Sequence, residues 1–242
     1  DKNTPATLPG EVNATYQAGC TTRCDMKRIL MTCLLIALVG ATSGCNYIVL
    51  LGYLIGGPPS IEPDYDAMTS ESLTNPGIVV AVACFAPKEV QYSFSHVDRD
   101  ISVAVARRLH NHKVKVITPD LVQKWIDEHP DWDEPDEIGK AVGATHVVYV
   151  DLTSFTLYEE NSHELYRGRS EGIVSVYELD EFGDGEQIYS KELISRYPLA
   201  APRDASDISR AQFQLQYLAR ISEEIGRLFY EHYNGDDMSD AT

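Results

Sequence analysis

The sequence predicts a mixed α/β (α+β) domain whose sheet is parallel in its first half and an antiparallel meander in its second. After residue 77, strand-like runs are separated by amphipathic helical runs, and strands connected by helices pair in parallel. Three further strand-like runs then follow with only short turns between them, a pattern typical of hairpins. A late amphipathic run predicts a long C-terminal helix, and we expect the helices to pack on the faces of the sheet.

The first half of the predicted domain has the order β-α-β-α-α. The run Ile78–Phe85 is continuously apolar and lies between prolines, as expected for a central strand covered on both faces. Residues His96–His110 carry apolar side chains every three or four positions, which predicts an amphipathic helix. The remaining elements are an alternating strand at Lys113–Thr118, a helix opened by Pro119-Asp120, and a short helix at Asp136–Val142 that is stopped by Gly143.

The second half has the order β-β-β-α. The predicted strands are Thr145–Tyr158, Tyr166–Leu179 and Gln187–Tyr197, and polar turn residues separate them. The final helix is predicted over Ala205–Tyr233, because apolar residues recur on one stripe of that run. We therefore expect one globular domain over residues 77–233 and a disordered tail at 234–242.

A leader precedes this domain. Met26-Lys27-Arg28 gives a positively charged start, the run Ile29–Gly40 is apolar, and Thr42-Ser43-Gly44-Cys45 follows with small residues before the cysteine. Charge, apolar run and small residues come in the order of a secretory signal. The four residues that end at Cys45 resemble the lipobox of bacterial lipoproteins. The sequence thus predicts a signal peptide at 26–44 and lipidation of Cys45, whose acyl chains would attach the protein to a membrane.

Two other interpretations of the leader remain. An ordinary signal peptidase would accept the small residues Ala41 and Ser43, or the apolar run could join Tyr47–Ile55 in one uncleaved membrane span. Residues 1–25 have no pattern and are interpreted as an upstream extension. Residues 45–76 are predicted to be a lipid-anchored tether, and within them Ser60–Pro76 is either part of the tether or an extended segment lying on the domain.

The charge balance limits the classes of partner. The chain has a formal net charge of −17, so its surface is expected to repel nucleic acid and anionic lipid headgroups. We therefore expect no nucleic-acid partner and membrane attachment through the lipid alone. Of the five cysteines, only Cys84 lies in the predicted domain, so cleavage before Cys45 would leave no internal disulfide.

Several segments together resemble a known group of proteins. These are the strand Ile78–Phe85, the helix His96–Leu109, the strand Val114–Thr118 with the following Pro119-Asp120, and the helix end and strand Val142-Gly143-Ala144-Thr145-His146-Val147. Their order resembles the periplasmic lipoprotein superfamily that includes the amino-terminal domain of TolB, the penicillin-binding-protein activator LpoB and the curli secretion lipoprotein CsgG. The resemblance covers roughly residues 77–233. It implies a non-catalytic role in the envelope, in which the domain docks on or assembles with a partner protein.

The sequence carries none of the common catalytic motifs. The sequence has no glycine-rich phosphate loop, no Gly-x-Ser-x-Gly elbow and no His-Glu-x-x-His motif, so we expect no catalytic, cofactor or metal site. His146, at the start of a strand, is interpreted as a hydrogen-bonded core residue. The candidate partner contacts are Trp132, which lies among acidic residues, and Glu159 and Glu160 at a predicted hairpin tip, where they would meet a basic partner.

The sequence therefore predicts a lipid-anchored, non-catalytic protein-binding or assembly module of the bacterial cell envelope, at the periplasmic or outer-membrane face, that takes part in envelope biogenesis or secretion. One alternative is an envelope hydrolase in which His146 acts with Asp151 or Glu178. Another is a subunit of a secretion complex, which would differ chiefly in its oligomeric state.

Overall fold

A computed structural model describes residues 28, 30–32, 52, 54 and 60–233. The chain divides into two compact units, with the boundary between Pro58 and Pro59. The upstream extension, Cys45, most of the predicted signal peptide and the predicted tail lie outside the described residues. No helix among the residues that are described has both the length and the apolar character needed to cross a membrane.

The second unit contains all the elements predicted for the domain, with one reduced, and several short ones besides. In chain order, with the labels used below, they are β1 (Ser60–Ile61), α1 (Asp64–Thr69), β2 (Val80–Phe85), α2 (Lys88–Ser93), α3 (Val97–Asn111), α4 (Pro119–Glu128), α5 (Pro135–Val142), β3 (His146–Tyr158), β4 (Leu165–Leu179), β5 (Gly185–Tyr197), β6 (Arg203–Asp204), α6 (Arg210–Gly226) and β7 (His232–Tyr233).

The main sheet is mixed, which confirms the predicted fold class. Its order is β2-β3-β4-β5, and β6 pairs with the first two residues of β4. Strands β2 and β3 are parallel, whereas β3, β4 and β5 form an antiparallel meander. The strand predicted over Lys113–Thr118 is reduced to a single parallel bridge between Val80 and Val116. The pairing ends there because Pro119, which has no N–H to donate to a ladder, begins α4 only three residues later.

The two faces of the sheet are covered differently. Helices α3 and α6 pack on the face that we call the inner face, where residues such as Val148, Val174, Ile101 and Ile221 form the larger apolar core. Helices α4 and α5 pack on the opposite, outer face, where Val122 and Ile138 join Ala81, Ala83 and Val147 in a smaller cluster. The smaller cluster covers only the part of the outer face where β2 and β3 begin, and this difference positions the candidate site described below.

Residues 60–76 belong to the domain rather than preceding it. Tyr65 and Leu73 are fully buried, and the Tyr65 N–H donates to the carbonyl of Leu228 at 3.0 Å. The Tyr65 ring packs edge-on against Tyr189 at 5.5 Å between centroids, and β1 pairs with β7. The compact unit thus includes the segment before Gly77, the predicted start of the domain, because a buried tyrosine and a buried leucine hold that segment on the inner face.

The C-terminal helix is shorter than the predicted Ala205–Tyr233. It begins after Ser209, whose hydroxyl accepts a hydrogen bond from the Gln212 N–H in a capping box. It ends at Gly226, and the chain then turns and forms β7. Helix α2 was not predicted, because its six residues are too few to show a helical period.

Candidate functional site

The part of the outer sheet face beyond α4 and α5 carries exposed apolar side chains. One row of residues crosses all four long strands: Phe85 pairs with Asp151, Asp151 with Ile173, and Ile173 with Glu192. Phe85 and Ile173 are 43% and 44% exposed. Because side chains alternate along a strand, residues opposite one another in register lie on the same face and within contact distance. The row is therefore a continuous surface feature.

A second pair extends this row. Glu171 on β4 lies opposite Ile194 on β5, and Ile194 is 70% exposed. We call the surface made by these six residues the acidic-apolar patch: Phe85, Asp151, Glu171, Ile173, Glu192 and Ile194. Partial burial among these neighbours raises the pKa of the Asp151 carboxyl. The patch combines the exposed apolar area of Phe85, Ile173 and Ile194 with carboxyl oxygens that can accept hydrogen bonds.

The predicted partner contact Trp132 lies beside this surface. Its ring meets the Tyr149 ring edge-on, with 6.0 Å between centroids, and it packs against the smaller apolar cluster. Tyr149 precedes Asp151 by two residues on the same face of β3. Trp132 thus lies where the covered part of the outer face meets the patch.

The other predicted contacts, Glu159 and Glu160, have partners within the chain. Glu159 Oε2 lies 3.0 Å from Arg167 Nε, and Glu159 Oε1 lies 3.8 Å from Arg169. Glu160 accepts a hydrogen bond from Arg169. Two arginines on β4 therefore neutralise the acidic hairpin tip. These ion pairs depend on the register of β3 and β4, which brings the arginines beside the two glutamates.

A second cluster lies at the opposite end of the sheet, on the inner face. His146 on β3 is opposite Glu178 on β4, and Glu71 reaches the same place from the loop after α1. The Nε2 atom of His146 lies 3.7 Å from Glu71 Oε2, and one ligand atom from each residue lies within 4.8 Å of the others. His146 is 3% exposed, Glu71 is half-buried and Glu178 is exposed. The cluster therefore reaches from the core to the surface.

The two ring nitrogens of His146 have different surroundings. Nδ1 lies 3.0 Å from the Thr145 hydroxyl, and that hydroxyl accepts a hydrogen bond from the Val79 N–H. Nε2 is buried and has no hydrogen-bond partner among the described residues. Burial lowers the pKa of His146, although the charges of Glu71 and Glu178 oppose this shift.

The hydroxyl of Tyr65 is affected by the charges of the same two glutamates, Glu71 and Glu178. It is buried without a hydrogen-bond partner in the part of the chain that the structure describes. Burial and the charge of Glu71 raise the pKa of Tyr65 to about 12, so the phenol stays neutral at pH 7.

The structure buries His146, as the sequence predicts, and brings one of the two carboxylates of the hydrolase alternative beside it. His146 is buried and lies within hydrogen-bonding distance of Thr145, as expected for a core histidine. The hydrolase alternative named Glu178, which the register places beside His146, and Asp151, which lies on the opposite face. Glu71 was missed, because it lies in the segment that was interpreted as a tether or as chain lying on the domain.

Comparison with known proteins finds no matching family model and no matching curated protein. Among solved structures, the chain is similar to hypothetical protein CT253 from Chlamydia trachomatis, with 14% identity over 62% of this chain and 95% of that chain and a TM-score of 0.38. Lipoprotein GNA1162 from Neisseria meningitidis is 11% identical over 61% of this chain and 97% of that one, with a TM-score of 0.36. The PelC dodecamer from Paraburkholderia phytofirmans is 11% identical over 71% and 98%, with a TM-score of 0.34. The likeness is confined to the arrangement of helices and strands.

Proposed function

We propose that this chain is a lipid-anchored, non-catalytic protein-binding module of the bacterial cell envelope, and that its acidic-apolar patch receives the partner. The observation that carries the binding role is the row from Phe85 through Asp151 and Ile173 to Glu192 across the four long strands. Exposed apolar side chains gathered on one surface are typical of protein–protein interaction sites.

The charges of the patch favour one kind of partner. Asp151, Glu171 and Glu192 alternate with the apolar side chains, so a bound segment gains most if its own apolar residues are flanked by lysine or arginine. An anionic membrane surface would be repelled by the same carboxylates. We therefore expect a protein segment with alternating basic and apolar residues, and we expect Trp132 to contact it at the border of the patch.

A peptide library tests the docking role. Twelve-residue peptides displayed on phage are selected on the purified full chain in detergent. The same peptides are then bound to the double variant Glu171→Lys/Glu192→Lys and to Ile194→Ser. Enrichment of basic residues beside apolar ones, with binding at least about tenfold weaker to both variants, supports the proposal.

Two matched controls complete this test. Leu215→Ser removes an apolar side chain that is 68% exposed on α6, away from the patch, and Glu181→Lys/Glu231→Lys reverses two exposed charges elsewhere. Both controls should bind the selected peptides as the native chain does. Selection of peptides without basic residues, or equal binding to the patch variants, would overturn the docking role.

The lipid anchor has its own test. Cys45 follows small residues and an apolar run, and acylation there would hold the domain at a membrane. Cells are labelled with a fatty-acid analogue while they express the native chain, Cys45→Ala or the control Cys33→Ala. Label should be lost in Cys45→Ala alone, and equal labelling of all three would end the lipoprotein assignment.

A further inference from the structure

We propose that Glu71, His146 and Glu178 form a binding site for one divalent transition-metal ion, with zinc as the ion to test. His146 would bind through Nε2, and each glutamate through one carboxylate oxygen. The site is distinct from the acidic-apolar patch, since it lies on the inner face at the opposite end of the sheet.

The ligand set suits this class of ion. Imidazole nitrogen and carboxylate oxygen are both zinc ligands, and three protein ligands with an open fourth position are typical of its non-structural sites. Bonds of about 2.0–2.2 Å in tetrahedral geometry place neighbouring ligand atoms about 3.4 Å apart. The 3.7 Å between His146 Nε2 and Glu71 Oε2 is close to that separation, and it is too long for a hydrogen bond that would join the two groups directly.

The orphaned Nε2 atom is independent evidence for a missing ligand. His146 is almost fully buried, and a buried ring nitrogen without a partner is costly unless something binds it. The Thr145 hydroxyl lies 3.2 Å from the Val79 carbonyl, to which it can donate, which leaves its oxygen free to accept the Nδ1–H of His146. Nε2 then carries a lone pair that faces two carboxylates. The lone pair and the carboxylate charges repel one another, and a cation bound between them would remove this repulsion. A metal-binding histidine is commonly oriented in this way, through a hydrogen bond from its other nitrogen.

The site has a route to solvent. Glu178 is exposed, and Glu71 also borders a surface cavity of about 470 Å³. Glu62 and Asp66 line that cavity with Glu71, so its wall attracts cations.

Metal binding at this place would also have a structural consequence. His146 and Glu178 belong to the sheet, whereas Glu71 belongs to the segment that carries α1. One ion would therefore fix residues 60–76 to the end of the sheet and stabilise the first part of the domain.

The test is calorimetric titration of zinc into the metal-free full chain in detergent, with Cys20→Ser/Cys24→Ser as the background so that these two thiols cannot bind the ion if the leader is retained. We expect one site, with binding at least about tenfold weaker in Glu71→Gln and in Glu178→Gln. Cobalt in place of zinc should give the visible absorption of a tetrahedral centre, and both variants should lose it. Because Glu178 is exposed, its substitution is not expected to disturb folding, which circular dichroism verifies.

Matched controls separate this site from other histidines. His163→Gln, in an exposed turn, and His110→Gln/His112→Gln should leave zinc binding unchanged. Zinc should also slow hydrogen exchange in residues 60–76 of the background protein, but not in Glu178→Gln. The proposal is overturned if the background protein binds no zinc, if Glu178→Gln binds as tightly as the background, or if only the His110/His112 variant loses binding.

Discussion

The ring of Tyr217 on α6 lies directly against Gly168 on β4. A Cβ atom added at Gly168 would lie 2.3 Å from the ring, well inside van der Waals contact. The Tyr217 hydroxyl lies 2.6 Å from the Ser170 hydroxyl and donates to the Ser195 carbonyl at 3.4 Å. A single side chain thus joins α6 to both β4 and β5, and the absence of a side chain at Gly168 makes room for it.

Replacement of this glycine should therefore destabilise the domain. Gly168→Ala forces the Tyr217 ring away from β4, and overpacking of this kind costs about 1–3 kcal/mol. Urea unfolding followed by circular dichroism measures the change in the free energy of unfolding. Ser190→Ala, at an exposed position of β5, is the control and should unfold as the native chain does. Equal stability of Gly168→Ala and this control would contradict the packing described here.

Tyr65 should be a core residue in solution. Tyr65→Ala removes a fully buried ring that packs against Tyr189 and Phe229, and should cost about 3–5 kcal/mol in the free energy of unfolding. Tyr92→Ala deletes the same side chain at a position that is 94% exposed, and should cost less than about 0.5 kcal/mol. If both variants melted at the native temperature, residues 60–76 would be a tether after all.

Glu223 should make stability depend on pH in the acid range. Burial alone would raise its pKa, but a hydrogen bond from Arg227 and the charge of Arg108 hold the pKa of this carboxyl below its ordinary value of 4.5. A carboxyl whose folded pKa is lowered stabilises the fold fully above the unfolded value, and the contribution is lost as the pH falls through the folded value. Glu223→Gln should therefore lower the free energy of unfolding at pH 7 by about 1.5–3 kcal/mol. The same substitution should lower it less at about pH 3.

Urea unfolding at both pH values checks this prediction. Glu128→Gln is the control, because Glu128 pairs with Lys124 at 3.8 Å on the exposed side of α4 and such pairs contribute little. A Glu223→Gln variant whose deficit is the same at both pH values would show that the carboxylate charge is not responsible.

Cys84 should be unreactive in the folded protein. Burial raises the pKa of its thiol well above the ordinary value, and the charges of Asp98 and Asp151 add to the effect. The thiolate is the form that reacts, so iodoacetamide at pH 8 should modify Cys84 only after unfolding in urea. Peptide mass spectrometry measures the extent, and Ser190→Cys supplies an exposed thiol on the same sheet for comparison. Native Cys84 reacting as fast as that introduced thiol would mean that β2 opens readily.

The sequence predicted the sheet well because its signals are local. Strands β3, β4 and β5 begin and end within two residues of their predicted bounds, since polar turns separate them clearly. The alternation at Lys113–Thr118 predicts a full strand where the structure has a single bridge. Alternation shows which face a residue occupies, but not how many neighbouring strands it pairs with. The predicted C-terminal helix begins too early, because Ala205 and Ile208 continue the apolar pattern upstream of the Ser209-x-x-Gln212 capping box that marks the true start.

The candidate sites were harder to predict than the elements. Both the patch and the His146 cluster depend on register. The pairing of Asp151 with Ile173 becomes visible only once β3 is aligned with β4, and the same alignment selects Glu178, not Asp151, as the neighbour of His146. Glu71 comes from far away in sequence, in a segment with only isolated apolar residues. No periodic pattern marks such a segment, because its burial depends on single side chains and not on one face of a helix or strand.

The pairing of Ser60 with Tyr233 has a consequence for how the chain could be rearranged. The domain starts and finishes at adjacent positions in one small ladder, so a short linker could join them. New ends could then be opened in the exposed turn between β4 and β5, where Phe182 and Asp184 face solvent. Such a circular permutant would retain both candidate sites, because no residue of either site lies in that turn.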